Sequence, residues 1–177
     1  MQFNSDLPIY RVGEQMSIGV PVEKLWKLIS MPENLNLCHP YCKKNTVQKW
    51  GGIGAKDTLE YYNGLTLVRE FVEWNEGQGY KLIIGKNELA TARVTWRVTE
   101  LTKESSELSI SIELLPDVAL RRFTPWLRVL IRRFYFIPKM KHYIYNVVQG
   151  FKYYAENETP VSLSLIHIWT LPTTPYV

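Results

Sequence analysis

The sequence predicts an α+β domain, in which a curved antiparallel sheet of six or seven strands packs around a long C-terminal helix. Ala90 to Thr99 and Ser106 to Leu114 alternate strictly between apolar and polar residues, as antiparallel strands with one wet face do. Asn63-Gly64 separates two further strand-like segments and is a strong hairpin signal. Lys139 to Asn157 repeats apolar residues at helical spacing, so this helix can cover the sheet's apolar face.

The other predicted elements complete one domain spanning residues 1–158. Pro21 is suited to the first turn of a helix, and Pro32 begins a second, shorter helical turn. The strand pattern predicts strands at 10–20, 45–50, 56–62, 65–74 and 80–85. A further helical segment begins near Thr124-Pro125, and Pro138 is expected to break or restart it before the long helix.

Composition narrows the class of partner. The chain has 177 residues, a net charge of +4 and a pI near 9.0, which is too mildly basic for a dedicated nucleic-acid binder. There is no charged-then-apolar leader, and the longest apolar runs are interrupted by Arg or Lys. We therefore expect a cytoplasmic protein with two free thiols, Cys38 and Cys42, and no nucleic-acid partner.

Residues 163–177 do not continue the pattern of the domain. Leu163 to Ile168 resembles an in-frame translation of a transposase-adapter sequence used in DNA library preparation, and the residues after it resemble the continuation of that adapter. We expect this tail to be non-native and leave it out of functional reasoning. The alternative is a genuine apolar tail that packs on a partner.

Several local motifs resemble the helix-grip superfamily, which includes START lipid-transfer domains, the birch-pollen-allergen fold and polyketide cyclases/dehydrases. Val20 to Ser30, followed by Pro32 to Leu35, resembles its first-strand-to-helix signature. Val72 to Asn75 and Val94 to Val98 are similar to its middle strands, and Gly150 to Tyr154 to the end of its last helix. The resemblance implies a cavity for lipids, sterols, polyketides or quinones. It supplies no universal catalytic motif, and no cofactor is expected.

The hairpin signal predicts a register and, from it, a cavity carboxylate. A two-residue loop at Asn63-Gly64 would pair Tyr61 with Thr66. The more apolar face, which we expect to point inward, then comprises Leu59, Tyr61, Val68, Glu70, Val72 and Trp74. Glu70 would face the cavity with a raised pKa and is the catalytic candidate. The alternative places Glu70 at a rim or beside an unidentified base.

The predicted ligand-binding residues combine this carboxylate with aromatic side chains. They are Tyr61, Glu70, Trp74, Trp96, Tyr143 and Phe151. Apolar burial would favour the ligand, and the Tyr hydroxyls would orient its polar end. For each aromatic residue, plain core packing is the alternative.

The segment Cys38 to Cys42 contains His39 and superficially resembles a metal site. It offers at most three ligands close in sequence, whereas structural zinc takes four, and His142 is the other credible histidine. We expect no metal, and Cys nucleophile chemistry with His39 is equally disfavoured.

A basic and aromatic segment precedes the long helix. Arg121, Arg128 and Arg132 share one helical stripe, and Trp126 flanks them. A second stripe is apolar and comprises Leu120, Phe123, Leu127, Leu130 and Phe134. This composition fits a gate or a transient contact with an anionic membrane surface, with peripheral membrane attachment as a consequence. The alternative is a lid helix packed on the sheet with solvated arginines.

Three functions follow from these features. The first is binding or transport of a small hydrophobic or amphipathic molecule. The second is a cyclase- or dehydratase-type enzyme for a polyketide-like substrate, using Glu70 and a cavity tyrosine as acid and base. The third is a protein-interaction module or homodimer contact through Tyr62, Leu67 and Phe71, which the predicted register places on the outer face.

Overall fold

The structure, a computed structural model, describes residues 1–120 and 123–162. Its strands are β1 Tyr10–Ile18, β2 Cys42–Lys49, β3 Lys56–Tyr61, β4 Thr66–Asn75, β5 Gly79–Lys86, β6 Leu89–Thr102 and β7 Ser105–Leu114. They form one antiparallel sheet in the order β1-β7-β6-β5-β4-β3-β2. The helices are α1 Val22–Ser30, α2 Leu35–Cys38, α3 Pro116–Ala119, α4 Pro125–Ile131 and α5 Ile137–Asn157. Arg121 and the predicted tail at 163–177 lie outside the described residues.

The alternating pattern of β6 and β7 places their apolar residues on the inner face, as predicted. Trp96 of β6 and Ile110 of β7 lie directly opposite each other and are buried. The long helix α5 packs over this face with Ile144, Val147 and Phe151. The predicted α+β architecture is confirmed, with seven strands and two short helices after the first.

The C-terminal half of α5 is held very close to α2. A Cβ atom added at Gly150 would lie 2.2 Å from the carbonyl oxygen of Cys38, so only glycine allows this approach. By contrast, the helix has no buried residue before Ile144. Helix α5 therefore packs more closely against the rest of the domain from Ile144 onward than it does before that residue.

The predicted register of the β3–β4 hairpin is wrong by one residue. The backbone N–H of Tyr61 bonds to the carbonyl of Leu65 at 2.8 Å, so the loop contains three residues, 62–64. Gly64 has φ +82°, the left-handed conformation that follows a tight turn in three-residue hairpin loops. Glu60 consequently pairs with Thr66 and Asp57 with Arg69.

This shift exchanges the two faces of β4. Leu67, Arg69 and Phe71 point inward, so the prediction that Leu67 and Phe71 lie on an outer interaction face is wrong. Glu70 points outward, where its carboxylate accepts a hydrogen bond from the Met1 amino group at 2.7 Å. A bulge between Phe71 and Glu73 shifts the alternation again and returns Trp74 to the inner side.

The helical segments at the end of the domain form one continuous rod. Between α4 and α5 the chain makes a π-helical turn, Arg132–Phe136, in which Ile137 N–H bonds to the carbonyl five residues back. Pro138 follows this turn in the first turn of α5, so it restarts rather than breaks the helix. No helix in the described part of the chain combines the length and apolar character needed to cross a bilayer.

Candidate functional site: a cavity with a polar wall

A cavity of about 40 Å³ lies between α5 and the inner face of the sheet. Most of its lining is aliphatic, contributed by α2, β3, β5, β6, β7 and α5. The aliphatic residues are Leu35, Leu59, Leu82, Ile84, Val94, Ile110, Ile112, Ile144 and Val147. Trp96 and four polar side chains, His39, Tyr61, Arg69 and Tyr143, complete the lining.

The polar wall is based on a buried ion pair between adjacent strands. Asp57 of β3 lies opposite Arg69 of β4, and both side chains are buried. The Nε atom of Arg69 donates to Oδ1 of Asp57 at 2.8 Å, and Nη2 donates to Oδ2. Burial alone would lower the pKa of Arg69, but the charge and hydrogen bonds of Asp57 raise it above its ordinary value. The guanidinium therefore remains charged inside the sheet.

A chain of hydrogen bonds links α2, α5 and β3 beside this pair. The Nδ1 atom of His39 accepts the backbone N–H of Tyr41 at 3.2 Å, so the proton of the neutral ring is on Nε2. That nitrogen lies 2.9 Å from the hydroxyl of Tyr143, which lies 3.0 Å from the hydroxyl of Tyr61. Burial, and then the Arg69 cation, lower the pKa of His39 to about 3, which keeps it neutral.

This arrangement leaves donors available at the cavity. Because His39 donates to Tyr143, the two hydroxyls of Tyr61 and Tyr143 share one bond and retain one hydrogen for another acceptor. Asp57 engages two of the five N–H donors of Arg69, and no hydrogen bond to the others is formed among the described residues. The wall can therefore donate hydrogen bonds to an oxygen atom within the cavity.

The predicted ligand-binding residues do not all reach the cavity. Tyr61, Trp96 and Tyr143 line it, as expected for their positions, and their role in binding stays a prediction. Phe151 lies behind the lining, with its ring 4.9 Å from that of Trp96. Trp74 stacks on Tyr80 at 5.5 Å between ring centroids, within an aromatic cluster under α1.

The placement of Glu70 in the cavity is wrong, because the hairpin shift turns it to the outer face of the sheet. Sequence reasoning missed three residues of the polar wall: His39, Asp57 and Arg69. Only the correct hairpin register places Asp57 and Arg69 opposite each other on the inner face, so the predicted register could not indicate this ion pair. The sequence pattern indicates His39 only together with its neighbouring cysteines, as a metal ligand or as the partner of a Cys nucleophile.

The cysteines beside His39 are buried and do not form a reactive site. Burial raises the pKa of Cys38, and it raises that of Cys42 to about 12, so both remain thiols at neutral pH. Among residues 1–120 and 123–162, no group of three or more His, Cys, Asp or Glu side chains could hold a metal ion.

The predicted gate residues separate into two kinds. Trp126 is 69 % exposed on α4. Arg128 and Arg132 are half-buried and contact the protein: Arg128 Nε donates to the carbonyl of Phe123 at 2.7 Å, and the Arg132 guanidinium lies 4.8 Å from the ring of Tyr10. The alternative of a lid helix with solvated arginines therefore does not describe Arg128 and Arg132, and whether these residues form a gate or a membrane contact stays a prediction.

Known structures identify the architecture. No protein-family model matches the chain, and no curated protein matches its sequence significantly. The Zhui aromatase/cyclase from Streptomyces sp. R1128 superposes with a TM-score of 0.62 at 13 % identity, over 87 % of this chain and all of that one. The chain has the helix-grip fold.

Two other helix-grip structures match comparably. Norcoclaurine synthase from Thalictrum flavum gives a TM-score of 0.60 at 12 % identity, covering 87 % of this chain and 97 % of that one. Ara h 8.0201 gives 0.58 at 13 % identity, covering 84 % and 98 %. At these identities the likeness establishes the fold alone, so the function has to be argued from the site.

The buried ion pair predicts a large asymmetry between breaking it and replacing it. Asp57→Asn leaves the Arg69 charge buried and unpaired and should lower the free energy of unfolding by about 3–5 kcal/mol, measured by urea denaturation. The double variant Asp57→Leu/Arg69→Met should recover most of that loss. As a control, Glu60→Gln at another position of β3 breaks the exposed ion pair with Lys43 of β2. It should lower the free energy of unfolding by less than about 1 kcal/mol. An Asp57→Asn variant as stable as wild type would contradict this assignment.

The lowered pKa of His39 predicts a specific loss of stability of the folded state in acid. The folded state keeps His39 neutral down to a pKa of about 3, whereas the unfolded chain takes up a proton near its ordinary value of 6.5. Below pH 6.5, protonation therefore favours unfolding, by about 1.4 kcal/mol per pH unit. The stability difference between wild type and His39→Gln should change with this slope between pH 6 and pH 5, above the range where ordinary carboxylates titrate. Parallel pH profiles would exclude a buried neutral His39.

Proposed function

We propose that this chain binds or carries a small, mostly apolar molecule in the cavity between α5 and the sheet, with residues 1–158 as the binding unit. The observation that carries this proposal is the division of the cavity into an aliphatic part and one polar wall. Such a lining favours a ligand with an apolar body and a single polar end. The helix-grip fold is compatible with this function but does not specify it.

The polar wall favours an oxygen acceptor on the ligand. Tyr61 or Tyr143 offers one hydroxyl hydrogen, and Arg69 offers N–H groups beside it. Because Asp57 already neutralises Arg69, the wall suits a neutral ketone, quinone or ester carbonyl better than an anion that would need a full countercharge. The proposed ligand is therefore an aromatic or aliphatic carbonyl compound.

Binding of such a ligand requires the first part of α5 and the sheet to move apart. A cavity of about 40 Å³ is well below the ~300–1,000 Å³ typical of sites for drug-sized ligands. Neither α4 nor the π-helical turn has a buried residue, and in α5 the buried residues begin at Ile144. Phe136, Ile137 and Met140 in this part are only partly buried against the core, so displacing it breaks less apolar packing than displacing the later, buried part of α5 would. Tyr143 lies at its boundary, so opening would also separate its hydroxyl from that of Tyr61.

Acid–base catalysis has weaker support from the same site. Glu70, the predicted acid or base, is on the outer face, and no carboxylate among the described residues lines the cavity. Burial raises the pKa of Tyr61 and of Tyr143, so both hydroxyls keep their protons near neutral pH. These tyrosines can donate hydrogen bonds to a carbonyl, but the wall supplies no base to accept a proton. The geometry therefore favours binding over a cyclase-type reaction.

A pair of probes tests this proposal. 1-Acetonaphthone carries a carbonyl, and 1-ethylnaphthalene has a similar shape without an acceptor. Wild type should bind the ketone about 3- to 10-fold more tightly by isothermal titration, as expected for one hydrogen bond. Tyr61→Phe/Tyr143→Phe should remove most of this preference, because it deletes the hydroxyl hydrogen that the pair retains, whereas Tyr61→Phe alone leaves the hydroxyl of Tyr143 free to donate. Tyr62→Phe, at the neighbouring exposed position, should preserve it.

Two results would contradict the proposal. One is a failure of both probes to bind. The other is a ketone preference that is unchanged in both Tyr61→Phe/Tyr143→Phe and Asp57→Leu/Arg69→Met, since the carbonyl would then have no contact with the polar wall.

A further inference from the structure

The rod formed by α4 and the π-helical turn exposes apolar side chains on its outward face. This face, formed by Trp126, Val129, Leu130, Arg133 and Phe134, is exposed in the structure. Trp126 and Phe134 are 69 % and 72 % exposed. Large apolar side chains with this spacing normally face the core of a soluble domain.

The opposite side of the rod holds it against the protein through arginines. Leu127, Arg128, Ile131 and Arg132 are half-buried there. The Nη1 atom of Arg132 lies 3.9 Å from Oδ1 of Asp117, in addition to the contact of this guanidinium with Tyr10. Two cations, Arg128 and Arg132, therefore face the protein, whereas the aromatic side chains of Trp126 and Phe134 face outward.

The charge of the chain is concentrated in the same region. The sequence between Asp117 and Glu156 contains eight Lys or Arg and no Asp or Glu. Since the whole chain carries +4, the remaining residues together carry −4. Arg133, Lys139 and Lys141 are exposed in this acid-free segment, next to the apolar side chains.

We propose that the outward face docks on an anionic lipid bilayer. Aromatic and aliphatic side chains next to Lys and Arg match the interfacial region of a membrane, where apolar residues enter the headgroup boundary and cations contact acidic lipids. A second copy of the chain fits less well, because a symmetric contact would bring two acid-free segments together. Nucleic acid would attract the cations but would not require the exposed Trp126, Leu130 and Phe134.

The location of this face connects the membrane with the cavity. Tyr143 lies about 14 Å further along the same rod than Phe134, at the helical rise of about 1.5 Å per residue. The β3–β4 loop, with exposed Tyr62 and Leu65, lies at the same end of the sheet, because it follows Tyr61 directly. Docking would therefore bring the loosely packed start of α5 to the membrane surface.

Vesicle co-sedimentation tests the proposal with the full chain. The vesicles are pure phosphatidylcholine and a mixture of phosphatidylcholine with phosphatidylglycerol, each at low and high salt. Wild type should bind the anionic vesicles preferentially, and salt should weaken this binding. Trp126→Ser/Phe134→Ser and Arg133→Gln/Lys141→Gln should each bind about tenfold more weakly.

Matched variants at the opposite end of the sheet serve as controls. Ile53→Ser removes an equally exposed apolar side chain, and Lys27→Gln/Lys103→Gln removes two exposed cations distant from the outward face. Both should bind vesicles like wild type. Tyr61→Phe/Tyr143→Phe, which removes the hydroxyl donors of the cavity, should also bind like wild type, which separates membrane docking from the proposed cavity function.

Three results would overturn the proposal. The first is equal binding of wild type to neutral and anionic vesicles. The second is wild-type binding by Trp126→Ser/Phe134→Ser, which would place the contact elsewhere in the chain, residues 163–177 included. The third is a dimer in sedimentation velocity that this double variant dissociates while vesicle binding is absent, which would assign the face to a second copy.

Discussion

The buried ion pair between Asp57 and Arg69 is the constraint on which the rest of the site depends. It joins β3 to β4 on the inner face of the sheet, where both charges are removed from water. A slip of β4 by one residue would turn Arg69 outward and leave Asp57 buried without its partner, a loss of several kcal/mol. The pair therefore specifies the register. Burial, and then the Arg69 cation, lower the pKa of His39, whose neutral ring orders the hydroxyls of Tyr143 and Tyr61.

Periodicity was sufficient where only hydrophobic burial determines the structure. From Ala90 to Val98 in β6 and from Leu108 to Leu114 in β7 every second residue is apolar, so the inner face, Trp96 included, followed from the sequence. The apolar stripe of α5 at Ile144, Val147 and Phe151 followed in the same way. These elements also carry the resemblance that the solved structures confirm as a helix-grip fold.

Periodicity failed where a polar interaction competes with hydrophobic patterning. On β4, an inward face with Val68, Glu70 and Val72 is more apolar than one with Arg69, so the pattern favoured the wrong side. The actual arrangement becomes favourable only because Asp57 of another strand neutralises Arg69, a long-range relation that no local pattern contains. A two-residue and a three-residue loop at Asn63-Gly64 differ by one residue in the local sequence pattern. That one residue turns every side chain of β4 before the bulge to the opposite face of the sheet.

The structure divides α5 and the rod before it into a fixed and a loosely held part. Gly150 allows the fixed part to approach α2 closely, whereas the loosely held part bears Tyr143 and continues from the outward apolar face. A ligand that reaches the polar wall must displace this second part. The proposed ligand entry and the proposed membrane contact therefore involve the same part of the chain.

The most direct test of this account is a crystal structure of the protein with 1-acetonaphthone. The account predicts the naphthalene ring among the aliphatic residues between α5 and the sheet, with α4 and the start of α5 displaced. The carbonyl oxygen should lie within hydrogen-bond distance of the Tyr61 or Tyr143 hydroxyl or of the Arg69 guanidinium. A probe bound only at the protein surface, with the Tyr61–Tyr143 contact intact and the cavity unchanged, would contradict it.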